Sequence, residues 1–163
     1  MNTKQQQNNP PSLSKMRRLL WLMGWIKIPM IAFVRPKLLI IDENELQLKI
    51  KLRRRTKNHL KSMYFGALAV GADIAAGLHA YYFAEMSGKK ISFAFKSMNV
   101  QFLKRATTDV TFHCQQGQLI ASAMNEAIST QERINQMVNV SAHNTDGEEV
   151  ATFEMEISVK VLN

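Results

Sequence analysis

The stretch YFGALAVGADIAAGLHAYYFAEM, residues 64–86, decides the fold. It is long enough for a helix and apolar on every side, which marks a helix buried in protein or in lipid. Its small residues, from Gly66 and Ala67 through Gly71, Ala72, Ala75, Ala76, Gly77 and Ala80, would let a neighbour approach the backbone in either setting. Asp73 separates the two readings, because an acid at mid-span costs roughly 3 kcal/mol on insertion scales. The segment therefore predicts a soluble core helix with a curved sheet wrapped closely around it.

Outward from this helix the sequence reads as strands. Downstream of Ser87-Gly88, Ile91, Phe93 and Phe95 alternate, and the phase then flips to Met98, Val100 and Phe102. A flip implies a bulge or a change of buried face. Val110, Phe112 and Cys114 alternate next, 118–128 reads as a short helix, and Val138, Val140 and Ala142 resume the alternation. A turn at Asp146-Gly147 leads to a last strand with Ala151, Phe153, Met155, Ile157, Val159 and Val161 on one side. Upstream, 38–41 and the alternating Leu46, Leu48, Ile50 and Leu52 form a strand pair around 42–45.

The N-terminal part divides in two. Residues 1–12 are polar, rich in Gln and Asn, and end in Pro-Pro-Ser, a composition that predicts a disordered tail. Residues 13–35 predict a helix that packs on the domain. Lys27 and Pro29 interrupt its apolar run, which falls short of the ~20 residues of a span. Lys15, Arg17 and Arg18 ahead of the apolar run keep peripheral contact with a membrane surface as the weaker reading.

A length of 163 residues with 46% hydrophobic and 21% charged side chains fits one globular domain. A single cysteine excludes an internal disulfide framework and a Cys-rich zinc site, and suits a reducing, cytoplasmic setting. The net charge is +8, and it is unevenly spread. No acid precedes Asp42, whereas seven basic residues do; six more lie between Lys51 and Lys61. Such a charge suggests an anionic partner. No RNP-like, zinc-finger or helix-turn-helix pattern accompanies it, so no nucleic-acid role is expected.

The segment Asn58-His59-Leu60-Lys61-Ser62-Met63-Tyr64-Phe65-Gly66, with Asp73 seven residues further on, carries the chemistry. It resembles the hot-dog fold thioesterase superfamily, in particular its phenylacetate-pathway thioesterase-like branch. Members commonly carry Asn, then His-Gly-Gly six residues on, then an acid seven residues past the second Gly. Here Tyr64-Phe65-Gly66 stands where His-Gly-Gly would. The stretch from Met98 to Ala106 is similar to the family's strand ending in Phe-Leu-Arg-Pro-Ala, and the likeness covers about residues 36–162.

The resemblance implies an α+β hot-dog domain over 36–163, an antiparallel sheet around one long central helix, with the extra N-terminal helix outside it. It implies a homodimer or dimer of dimers that hydrolyses an acyl-CoA or acyl-ACP thioester at the subunit interface. It needs no metal and no cofactor beyond the coenzyme A of the substrate. Asp73 would be base or nucleophile, Gly66 the oxyanion N–H donor and Asn58 the orienting amide. A helix N-terminus is a preorganised donor for such a charge. Tyr64, Phe65 and His59 would flank the acyl group. Arg54, Arg55, Lys57, Lys104, Arg105 and Arg133 would contact the carrier's phosphates. The bulk of Tyr64 and Phe65 keeps a second reading open: a non-catalytic acyl-CoA or fatty-acyl binding protein using the same pocket. His79, His113 and His143 lack partners at metal-ligand spacing and read as structural, and Cys114 reads as a core residue.

Overall fold

The computed structural model describes residues 9–162; the tail reading over 1–8 lies outside the described residues. The chain runs α1 (Leu13–Leu22), a π-helical turn (Met23–Lys27), α2 (Pro29–Val34), β1 (Lys37–Ile41) and β2 (Leu46–Ile50). It continues with α3 (Phe65–Ser87), β3 (Lys90–Phe102), β4 (Val110–Cys114), α4 (Gly117–Thr130), β5 (Ile134–His143) and β6 (Glu149–Leu162).

The six strands form one antiparallel sheet in the order β1-β2-β4-β5-β6-β3. The sheet wraps α3, as the small-residue helix predicts. Ala72, Ala75, Ala76 and Ala80 are fully buried, and Gly71 meets the sheet most closely. A Cβ built on Gly71 would lie 2.2 Å from Phe112 Cζ, so β4 approaches to a distance only glycine allows. Phe112, Phe153, Met155 and Ile157 fill the core on the sheet side. The phase flip in β3 is a bulge: its pairing with β6 shifts register between Phe95 and Ser97.

The segment over 13–35 is not one helix. Ile28 precedes Pro29, and the proline ring excludes the helical region for it; Ile28 sits at φ −133°, ψ 84°. This break folds α2 back against the π-helical turn. Gly24 permits the contact, because a Cβ there would lie 2.9 Å from the Ala32 nitrogen. Met16, Leu20, Ile31 and Val34 are buried, and Arg17 Nε donates to the Leu38 carbonyl at 3.0 Å. This strap therefore packs against the hot-dog domain as an addition to it.

Only α3 is long and apolar enough among the described helices to cross a membrane, and it is buried inside the sheet.

Candidate active site

The loop between β2 and α3 positions the start of α3. Thr56 is buried there and acts as a clamp. Its hydroxyl donates to the Lys51 carbonyl at 2.7 Å and accepts from the Arg53 N–H at 2.9 Å, while its carbonyl accepts from the Tyr64 N–H at 2.8 Å. The Met63 N–H donates to the Ala106 carbonyl at 2.8 Å, which ties the end of the β3–β4 connection to the same point. Asn58 is the hub of the loop tip. Its Oδ1 accepts from the Leu60 N–H at 2.9 Å, the Ser62 N–H at 3.1 Å and the Ser62 hydroxyl at 3.2 Å. That oxygen is committed to the loop, and Nδ2 is the part of the amide left to meet anything else. His59 is exposed beside it.

Helix α3 then starts without a side-chain cap. The Ala67 and Leu68 N–H groups donate to the Tyr64 carbonyl, whereas those of Phe65 and Gly66 have no acceptor among the described residues. These free donors carry the positive end of the helix dipole. The Tyr64 ring folds over Gly66 and packs on Phe65 with ring centroids 4.6 Å apart. Both rings are about half-exposed.

Asp73 lies two turns further along, about 10 Å by the 1.5 Å rise per residue. It opens into a cavity of about 180 Å³ between α3, β3 and the strap. Gly77 and Tyr81 continue its helix face, Phe93 and Phe95 come from β3, and Leu20, Met23, Ile28 and Ile31 close the pocket from outside. Among the described residues the carboxylate has no hydrogen-bond or ion-pair partner. Burial alone lifts its pKa from 3.8 to about 6. An unpartnered, desolvated acid in an apolar pocket is a strong proton acceptor once ionised. The sequence reading missed the pocket's other walls. The i, i+4, i+8 spacing of Asp73, Gly77 and Tyr81 holds the signal for Tyr81; the strap's contribution has none.

The basic residues separate into groups. Arg54, Arg55 and Lys57 lie in the exposed loop before α3, whose Thr56 carbonyl bonds Tyr64, and Arg105 is exposed next to Ala106, whose carbonyl bonds Met63. Arg55 also leans on α2, its guanidinium 5.6 Å from the Phe33 ring centroid. Lys104 is paired with Glu148 at 2.6 Å. Arg133 is elsewhere: it donates to Ser158 Oγ at 3.3 Å and Ser92 Oγ at 3.4 Å, near the opposite end of β3. One protomer thus does not bring Arg133 to Tyr64.

No group of three or more His, Cys, Asp or Glu side chains is arranged to hold a metal among the described residues. His79 is wholly buried; its Nε2 donates to the Asp42 carbonyl at 2.8 Å, and burial lowers its pKa.

This uncapped helix wrapped by a six-stranded antiparallel sheet is the hot-dog fold. Residues 16–160 match the family described as a domain of unknown function, DUF4442, and the chain belongs to that family. Among solved structures it is similar to a Chlorobaculum tepidum protein of unknown function, with a TM-score of 0.81, 12% identity and coverage of 94% of this chain and 99% of that one. It is similar to a Haemophilus influenzae thioesterase, with a TM-score of 0.66, 10% identity and coverage of 93% and 92%. It is also similar to zebra fish thioesterase superfamily member 2, with a TM-score of 0.64, 14% identity and coverage of 94% and 99%. Comparison with curated proteins gives no match. The narrower likeness to the phenylacetate-pathway branch rests on the sequence motifs alone.

Proposed function

We propose that this protein is a cytoplasmic thioesterase that hydrolyses an acyl-CoA or acyl-ACP thioester at a site built between two copies of the chain. The observation that carries the reading is Asp73, unpartnered and desolvated in an apolar pocket on the helix whose N-terminus offers free N–H donors.

In hydrolysis, water attacks the thioester carbonyl while the Asp73 carboxylate takes its proton. The tetrahedral oxyanion forms against the Gly66 N–H. Collapse expels the thiolate, which receives the proton from Asp73 and leaves as the thiol. Asp73 attacking as nucleophile would instead form an acyl-aspartyl anhydride that water cleaves. With its pKa near 6 the carboxylate is mostly ionised at neutral pH, which suits either role.

Two residues about 10 Å apart on one helix cannot serve the same carbonyl. Two copies of the chain solve this. β3 is an edge strand of 13 residues, and its Phe93 and Phe95 already wall the Asp73 pocket. Antiparallel pairing of two β3 edges would set Asp73 of one copy toward the helix start of the other. It would also bring the Arg133 end of one β3 to the Arg105 end of the other, gathering the carrier's phosphate contacts.

The ring of Tyr64 over Gly66 favours a second reading, an acyl-CoA or fatty-acyl binding protein in which this ring blocks the donor. Thiol release from acyl-CoAs and acyl-ACPs of graded length separates the two. A thioesterase gives turnover that depends on chain length. A binding protein gives thermal shifts with acyl-CoA and no thiol.

A further inference from the structure

The strap has two faces, and the site accounts for one. Leu20, Met23, Ile28 and Ile31 close the Asp73 pocket. On the other side Trp21, Trp25 and Ile26 are 60%, 65% and 72% exposed, and Met30 and Phe33 of α2 are also exposed. Large apolar side chains clustered in this way on a surface mark an interaction site. The two indoles stand together, ring centroids 6.2 Å apart.

Charge identifies the partner. Trp21 and Trp25 share a groove of about 420 Å³ with Arg17, Arg35 and Lys37, and Arg18 and Lys27 are exposed on the same strap. No acidic residue precedes Asp42 in the whole sequence. Among the described residues the strap's one ion pair is Lys15 with Glu85 of α3. Indole rings flanked by cations suit the boundary between anionic headgroups and acyl chains. A second copy of the chain fits this face poorly, because isologous pairing would set one cationic groove against another.

We infer that the strap docks this protein on the surface of an anionic bilayer. Trp21, Trp25 and Ile26 enter the headgroup–acyl boundary, while Arg18, Lys27 and Arg35 meet lipid phosphates. The inference stands apart from hydrolysis, since it concerns the outer face of the strap. The inner face of the same strap walls the pocket, so docking places the pocket directly above the lipid.

Trp21 and Trp25 are the only tryptophans in the chain, so indole fluorescence reports on the strap alone. The full chain is mixed with vesicles of phosphatidylcholine, with and without phosphatidylglycerol, and followed by co-sedimentation and emission. The expected result is co-sedimentation and a blue shift with the anionic vesicles, weakened by added salt. Trp21→Ser with Trp25→Ser, or Ile26→Asp alone, lowers the bound fraction roughly tenfold while circular dichroism is unchanged. The proposal is overturned by no binding to anionic vesicles at low salt, or by binding that both variants leave intact. A blue shift that follows protein concentration without vesicles also overturns it and assigns the face to self-association. The Ile26 variant keeps the test open should the double variant misfold.

Discussion

The Tyr64 ring folds over Gly66 so closely that a Cβ on Gly66 would lie 2.5 Å from Tyr64 Cε1. The ring is half-exposed, so little packing holds it in place. Gly66→Ala should therefore cost little stability but obstruct the Gly66 N–H. Tyr64→Ala should do the reverse and widen access. We expect kcat to fall for Gly66→Ala on every acyl-CoA, and kcat/KM to rise for the longer chains in Tyr64→Ala. Steady-state thiol release checks both.

Asp73 links the site to stability. Its pKa stands at about 6 in the folded chain against 3.8 ordinarily, through burial. Between these values the folded state binds more protons than the unfolded state, so this group's contribution to stability falls as pH rises from about 4 to about 6. Asp73→Asn should then stabilise the protein at pH 8 by up to about 3 kcal/mol and change it little near pH 4. Denaturant unfolding at the two pH values measures the difference.

Gly71 and Phe112 provide a test of the fold itself. Phe112 is fully buried and cannot retreat from a new methyl group. Gly71→Ala should cost roughly 1–3 kcal/mol by overpacking. A midpoint unchanged from wild type would contradict the close helix–sheet approach.

Cys114 is buried in β4, and burial pushes its thiol up to about 11. It should stay unreactive toward thiol reagents in the folded chain and react once denatured. A stopped-flow titration with and without denaturant checks this. The same property keeps colourimetric thiol-release assays free of background from the protein.

The main elements were legible because their periodicities are strong. The small-residue helix, the alternation of β2 and β6, and the phase flip that became the bulge between Phe95 and Ser97 all follow from side-chain spacing. Pro29 was read from sequence as an interruption of the apolar run, but only the structure shows that it divides the segment at Ile28. Asp73 was visible as an acid in an apolar helix. Its pocket was not, since Leu20 and Met23 reach it only through the fold-back of the strap. Asn58 was visible as a polar residue at a family spacing, whereas the three hydrogen bonds that occupy its oxygen depend on the loop's own path. Arg54, Arg55 and Lys57 were read from sequence as phosphate contacts with Lys104, Arg105 and Arg133 as further candidates; their places were not legible, and the sheet sets Arg133 at the far end of β3 from Arg105.

The most direct test of the central claim is thiol release from acyl-CoA by wild type and Asp73→Asn at pH 8, with binding followed in parallel by thermal shift. Hydrolysis is expected in the wild type and to fall by about 100-fold or more in the variant, while acyl-CoA still raises its melting temperature. Equal rates in the two proteins, or ligand binding without turnover in either, would contradict the assignment of Asp73 as the catalytic acid–base group.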